Sequence, residues 1–158
     1  MNWQSFLIWG FVATIVLTTM MSAAMGAGLT RMSIPFMVGT MFTADRDRAK
    51  VYGYGVHLVN GWAFALLYCF IFQQLHAASW WRGAILGLGQ SAFVLCVLVT
   101  LMPSIHPRMA SEQEGPSGRR LLEPPGFLAH HYGFQTPLTV VLAHLAFGII
   151  LGGFYQVR

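Results

Sequence analysis

Trp3–Ala27, WQSFLIWGFVATIVLTTMMSAAMGA, contains no charged side chain, and a run of roughly 20 such residues is enough to cross a bilayer. The residues before it, Met1-Asn2-Trp3-Gln4, carry no Lys or Arg. The apolar stretch is also longer than the core of a cleaved leader, so a retained membrane span is expected. Three more apolar runs follow, at 51–73, 83–102 and 137–155. Hydrophobic residues make up 56% of the chain and charged residues 9%, the balance of an integral membrane protein. Four spans and their connections use nearly all of the 158 residues, which leaves no room for a separate soluble catalytic domain. The expected fold is all-α, a polytopic membrane protein with a four-transmembrane-helix bundle forming one domain over 1–158.

The positive charges are unevenly placed. Of nine Lys and Arg, all but Arg82 and Arg158 lie in the connection 28–50 or in the long loop 103–136. In a bacterial inner membrane this bias puts both connections in the cytoplasm and both termini in the periplasm. The net charge of +4 then reflects topology and anionic headgroups, and no aromatic-interleaved basic patch points to nucleic acid. The lipid bilayer is the expected partner, together with other membrane-protein subunits or further copies of the chain.

Helix-start signals stand before two spans: Thr43 with Asp45 and Asp47, and Thr136 before Pro137. Between spans one and two, Met32 to Phe42 is apolar but too short to cross, with Ser33 as N-cap and Pro35 near the first helical position. A short interfacial helix is expected there. Packed at the headgroup level, it would bring Thr40 and Thr43 near the histidine layer described next.

Two stretches echo one another. His57-Leu58-x-x-Gly61-x-x-x-Ala65-x-x-Tyr68 and His144-Leu145-x-x-Gly148-x-x-x-Gly152-x-x-Tyr155 agree in His, Leu, Gly, a small residue and Tyr at equal offsets. A weaker echo links Arg31-Met32-Ser33 with Arg108-Met109-Ala110. The bundle therefore reads as two parallel two-helix repeats, with His57 and His144 at similar depth. Residues four apart share a helix face. Each histidine thus lies on a small-residue stripe of the kind that lets helices approach in lipid: Gly61 and Ala65, Gly148 and Gly152. Gly10 and Thr14 in span one, and Gly83 and Gly87 in span three, continue the pattern, and the bulky apolar residues should face outward.

An ionisable side chain within a span calls for a reason, and three readings are open. In the plainest, each imidazole only hydrogen-bonds within the bundle; Tyr54 and Asn60 share roughly the face of His57, while Phe147 replaces Asn60 in the second copy. In the second, His57 and His144 ligate a b-type haem, with Arg31 or Arg108 near its propionates. In the third, they bind a transition metal with His106, or with His130 or His131 from the long loop. Cys69 and Cys96 lie at different depths and suit neither a disulfide nor a thiolate site. No nucleophile motif, phosphate loop or acidic residue stands in a span, so no catalytic activity of its own is expected. Two histidines at one depth do not make a proton path; a metal- or ion-handling homo-oligomeric transporter or channel is the alternative to an accessory or cofactor-holding subunit.

The polar stretch Glu112 to Arg120 reads as a loop tip, flanked by proline-containing segments that fold back on the cytoplasmic face. The motifs IPFMVGTMFT (34–43), DRDRAK (45–50), HLVNGWAFALLY (57–68), IHPRMAS (105–111), LEPPGF (122–127) and the closing AHLAFGIILGGFY (143–155) resemble a family of uncharacterised small four-span bacterial inner-membrane proteins. The resemblance covers most of residues 30–155. It implies a bacterial inner-membrane bundle and no particular cofactor or reaction. Where that family has Asn-Tyr-Gly before span four, this chain has His131-Tyr132-Gly133, which implies that His131 is substitutable and favours His57 and His144.

Overall fold

Among the described residues four helices are long and apolar enough to cross a membrane: α1 (Trp3–Gly26), α3 (Arg46–Gln74), the run Trp80–Ile105, and α6 (Thr136–Phe154). The third joins α4 (Trp80–Phe93) to α5 (Val99–Ile105) through one π-helical turn, Val94–Leu98. A short helix, α2 (Ile34–Thr40), follows α1, and a 3-10 segment covers Phe127–Tyr132. This computed structural model describes residues 1–111, 115, 117–119 and 122–157, and no strand occurs among them. The loop tip expected from Glu112 to Arg120 lies largely outside the described residues.

Local chemistry sets the helix ends. The Asp45 carboxylate accepts from the amides of Asp47 and Arg48 at 3.1 and 2.8 Å, so α3 begins at Arg46, ahead of the apolar run from Val51 and with Asp45 as its cap. Thr43 sits outside the helix, its hydroxyl accepting from Asp45 N–H. Ser33 caps α2 as expected, with Pro35 in its first turn. Gln135 precedes α6, because Thr136 spends its hydroxyl on Thr30 at 2.7 Å.

Small residues decide which helices touch. A Cβ added at Gly83 would collide with the carbonyl of Gly148, one at Gly148 with that of Gly83, and one at Gly87 with that of His144. Helices α4 and α6 therefore meet backbone to backbone. Gly152 packs likewise on Ser79, Gly61 lies against the Thr14 side chain, and Gly10 against Trp62 and Ala65, joining α1 to α3. The eight residues picked out by the stripe pattern thus sit at these two interfaces. A third contact was not foreseen: Gly39 lies on the Ala49 carbonyl and Gly53 on that of Pro35, which clamps α2 onto α3.

The pairs α1/α3 and α4/α6 join along one side only, where α1 packs on α6. On the other side α3 and α4 meet through side chains, in the Tyr68 to Gln90 hydrogen bond of 2.7 Å and the Phe64–Phe93 ring contact at 6.4 Å. The core between the helices holds Tyr68, Phe72, Phe147 and Leu151, all at most 2% exposed. Leu67, Phe70, Trp80, Ile85 and Leu138 face outward, as a lipid-solvated bundle requires. Cys69 is buried, Cys96 is exposed, and both are free thiols.

Candidate functional site

His57 and His144 line one cavity of about 140 Å³. It lies within the bundle where α3 and α4 are held apart, so the missing small-residue contact on that side creates the space. The two histidines reach it from comparable positions on their helices. Each follows its helix start by two to three turns, each stands four residues before a close-packing glycine, and α1 lies between their helices.

The two imidazoles differ in their surroundings. His144 is 8% exposed, and its Nδ1–H donates to the Val140 carbonyl at 2.8 Å. That bond fixes the tautomer and leaves the Nε2 lone pair with no protein partner among the described residues. His57 is half-buried, has no hydrogen bond among the described residues, and faces the same cavity as His144. Asn60 and Gln90 also line the cavity, together with Thr14 and Thr18. Those two hydroxyls donate to the carbonyls of Gly10 and Thr14 on their own helix, both at 2.7 Å, so they offer lone pairs to the space. The π-helical turn supplies Val94 and Leu98 to the opposite wall; an isolated π-turn inside a helix often marks a functional site.

At the basic end of the bundle α2 forms the floor. Pro35 and Val38 line the cavity from below, and a latch holds the helix in place. The Arg108 amide donates to His106 Nδ1 at 3.1 Å, so the proton resides on Nε2 and is donated to the Met37 carbonyl at 2.9 Å; the Thr40 hydroxyl is 3.2 Å away. The Arg108 guanidinium caps the free carbonyls of Thr40 and Met41 at 2.6 and 3.3 Å. Burial holds the His106 imidazole below its ordinary pKa, in keeping with a neutral, doubly engaged ring.

His106 is accordingly not brought to the His57/His144 cavity, because both of its nitrogens serve the latch. Thr40 belongs to the same latch, and Thr43 lies beyond it. Arg31 pairs with Glu123 at 3.3 Å and with the His131 carbonyl at 2.5 Å, tying the 122–133 segment to the end of α1. Tyr132 donates to the Glu123 carbonyl at 2.6 Å, and burial pushes its phenol up to about 12. His131 covers Gly126, whose φ of +71° only glycine takes up readily, while exposed His130 lies at a tilt beside the Phe134 ring. Tyr54 is 51% exposed and stands outside the cavity. Of the residues selected as ligands, then, only His57, His144 and Asn60 meet.

Size bears on what these residues can hold. A cavity near 150 Å³ takes a benzene ring, whereas drug-sized ligands occupy roughly 300–1,000 Å³. A porphyrin would have to part the helices, and the two arginines expected at its propionates are engaged elsewhere. No group of three or more His, Cys, Asp and Glu is close enough to bind a metal among the described residues.

Sequence reading overlooked Gln90, although an amide in a span is as costly as an imidazole. It placed IPFM, HPRM and LEPPGF at the basic end but not the contacts among them, in which HPRM latches onto α2 and LEPPGF is tied to Arg31 through Glu123. No family model, curated protein or solved structure matches the chain.

Proposed function

We propose that this protein is a ligand-holding accessory subunit of a larger membrane assembly, with no catalytic activity of its own. The carrying observation is that His57 and His144, from the two repeats, line a single small cavity inside the bundle. No carboxylate lines it among the described residues, so an imidazole acting there as an acid or base would lack a charged partner. Its ligand is a small one, and the haem reading is set aside on size.

Asn60 supports the subunit part of the reading. Its side chain is exposed on α3 and has no hydrogen bond among the described residues. In a span such an amide is stabilised by a polar group on a neighbouring helix. Bacterial inner-membrane location, cytoplasmic placement of the basic end, and membership of the four-span family belong to the same proposal.

A photo-crosslinking residue at Asn60, activated in native membranes before gentle solubilisation, tests it. The expected product is an adduct with a different membrane chain that co-purifies with the protein. An adduct only with a second copy, together with ion flux in liposomes, would instead establish the homo-oligomeric transporter. Adducts with lipid alone would remove the subunit reading.

A further inference from the structure

We infer that the His57/His144 cavity is a site for a soft monovalent cation, with Cu(I) as its ligand. The inference rests on the ligand-holding reading above and names the class of that ligand. Five of the chain's nine methionines line the same cavity as the two histidines: Met21, Met25, Met32, Met37 and Met102. Thioether sulfur with imidazole nitrogen is a donor set that selects Cu(I), whereas Mg²⁺ and Ca²⁺ require carboxylate or carbonyl oxygen.

Charge points the same way. Every donor on this wall is neutral, and the charged residues nearest the floor are committed to the latch. The cost of placing an ion in a low-dielectric interior grows with the square of its charge, so a divalent ion pays about four times the penalty of a monovalent one. With no anionic ligand to offset it, the site disfavours Zn²⁺ relative to Cu(I).

The geometry around His144 is that of a prepared ligand. A metal-binding imidazole commonly donates its second N–H to a backbone carbonyl, which orients the ring and fixes the lone pair. His144 does this through Nδ1 to Val140 at 2.8 Å, and His57 lines the same cavity with no hydrogen bond to its ring among the described residues. Flexible methionine side chains adapt their sulfurs to a coordination shell without moving the helices. Met21, Met25 and Met32 are the informative ones to change. Met37 and Met102 are left in place, because their backbone carbonyls accept from His106 and a change of side chain there would repack the elements that the latch joins.

The test is Cu(I) titration of the purified full-length chain in nanodiscs, under ascorbate and against a chromophoric Cu(I) chelator. Zn²⁺ is titrated in parallel, and X-ray absorption is recorded on the copper-loaded sample. One Cu(I) per chain is expected, with both nitrogen and sulfur neighbours and much weaker Zn²⁺ binding. His57→Ala and His144→Ala should each weaken Cu(I) by about 100-fold, the upper end of what disturbing a ligand's supporting shell costs. The triple variant M21L/M25L/M32L keeps side-chain volume, leaves the sulfurs of Met37 and Met102 in place, and should weaken the sulfur signal; it decides the matter if either histidine variant fails to fold. The inference is overturned if Cu(I) is not retained, if Zn²⁺ binds equally well, or if the triple variant leaves the spectrum unchanged. Failure here with partner chains still crosslinked at Asn60 leaves the accessory-subunit reading intact, and copper binding without partner chains does the reverse.

Discussion

His106 Nε2 lies 2.9 Å from the carbonyl oxygen of Met37, a contact that helps tie the end of α5 to the helix that floors the cavity. Replacement by Gln keeps one donor but not both ring partners, and should cost about 1–3 kcal/mol, the range for a buried group left unsatisfied. The pH dependence follows from burial. Since the folded chain disfavours the charged ring, the unfolded chain binds more protons, so the contribution of His106 is complete above about 6.5, the ordinary imidazole value, and falls as the pH drops below it. Thermal midpoints in detergent between pH 8 and 5 should decline for the wild type and decline less for His106→Gln. Equal slopes in the two proteins would mean that the latch is not the titrating element.

Gly83 and Gly148 make the contact that sets the spacing of α4 and α6. Since a Cβ at either would meet the other's carbonyl oxygen, Gly148→Leu forces the helices apart. Overpacking of this kind costs about 1–3 kcal/mol. Gly89 is the control: it is on the same helix as Gly83, has nothing within 4 Å of its would-be Cβ, and should gain roughly 0.5–1 kcal/mol as Ala from helix propensity. Thermal unfolding of the two variants side by side checks this. A Gly89→Ala loss as large as that of Gly148→Leu would show that backbone contact is not what the glycines supply.

The four spans and the glycine interfaces were legible because lipid imposes strong rules on composition: long charge-free runs, and small residues wherever backbones touch. The pairing of His57 with His144 was suggested by the echo between their two stretches, and both line the one cavity. What escaped was set by contacts between distant segments. His106 sits among motif residues and resembles a ligand until Met37 and Arg108 are seen to take both of its nitrogens. The methionines looked like ordinary apolar filling, since nothing in their spacing shows that α1, α2 and α5 turn them toward one space. The π-helical turn at Val94–Leu98 has no marker at all in the local sequence. The start of α3 was misplaced because Asp45, and not Thr43, is the residue whose side chain reaches the free amides.

Tyr68 and Gln90 provide the one hydrogen bond between side chains of α3 and α4, at 2.7 Å, on the side where the bundle is open. Both are buried, at 2% and 8% exposure. Tyr68→Phe strands the Gln90 carbonyl oxygen, and Gln90→Leu strands the phenol, so each single change should destabilise by about 1–3 kcal/mol. Removing both partners at once leaves no orphaned group, and the double variant should be closer to wild type than the sum of the singles. The cycle also bears on the cavity, whose wall includes Gln90. If the bond holds α3 and α4 at their separation, the double variant should alter ligand affinity at His57 and His144 even where stability is restored. A strictly additive cycle, read from thermal midpoints, would mean that the two helices are positioned by α1 and α6 alone and that the Tyr68–Gln90 contact is incidental to the opening.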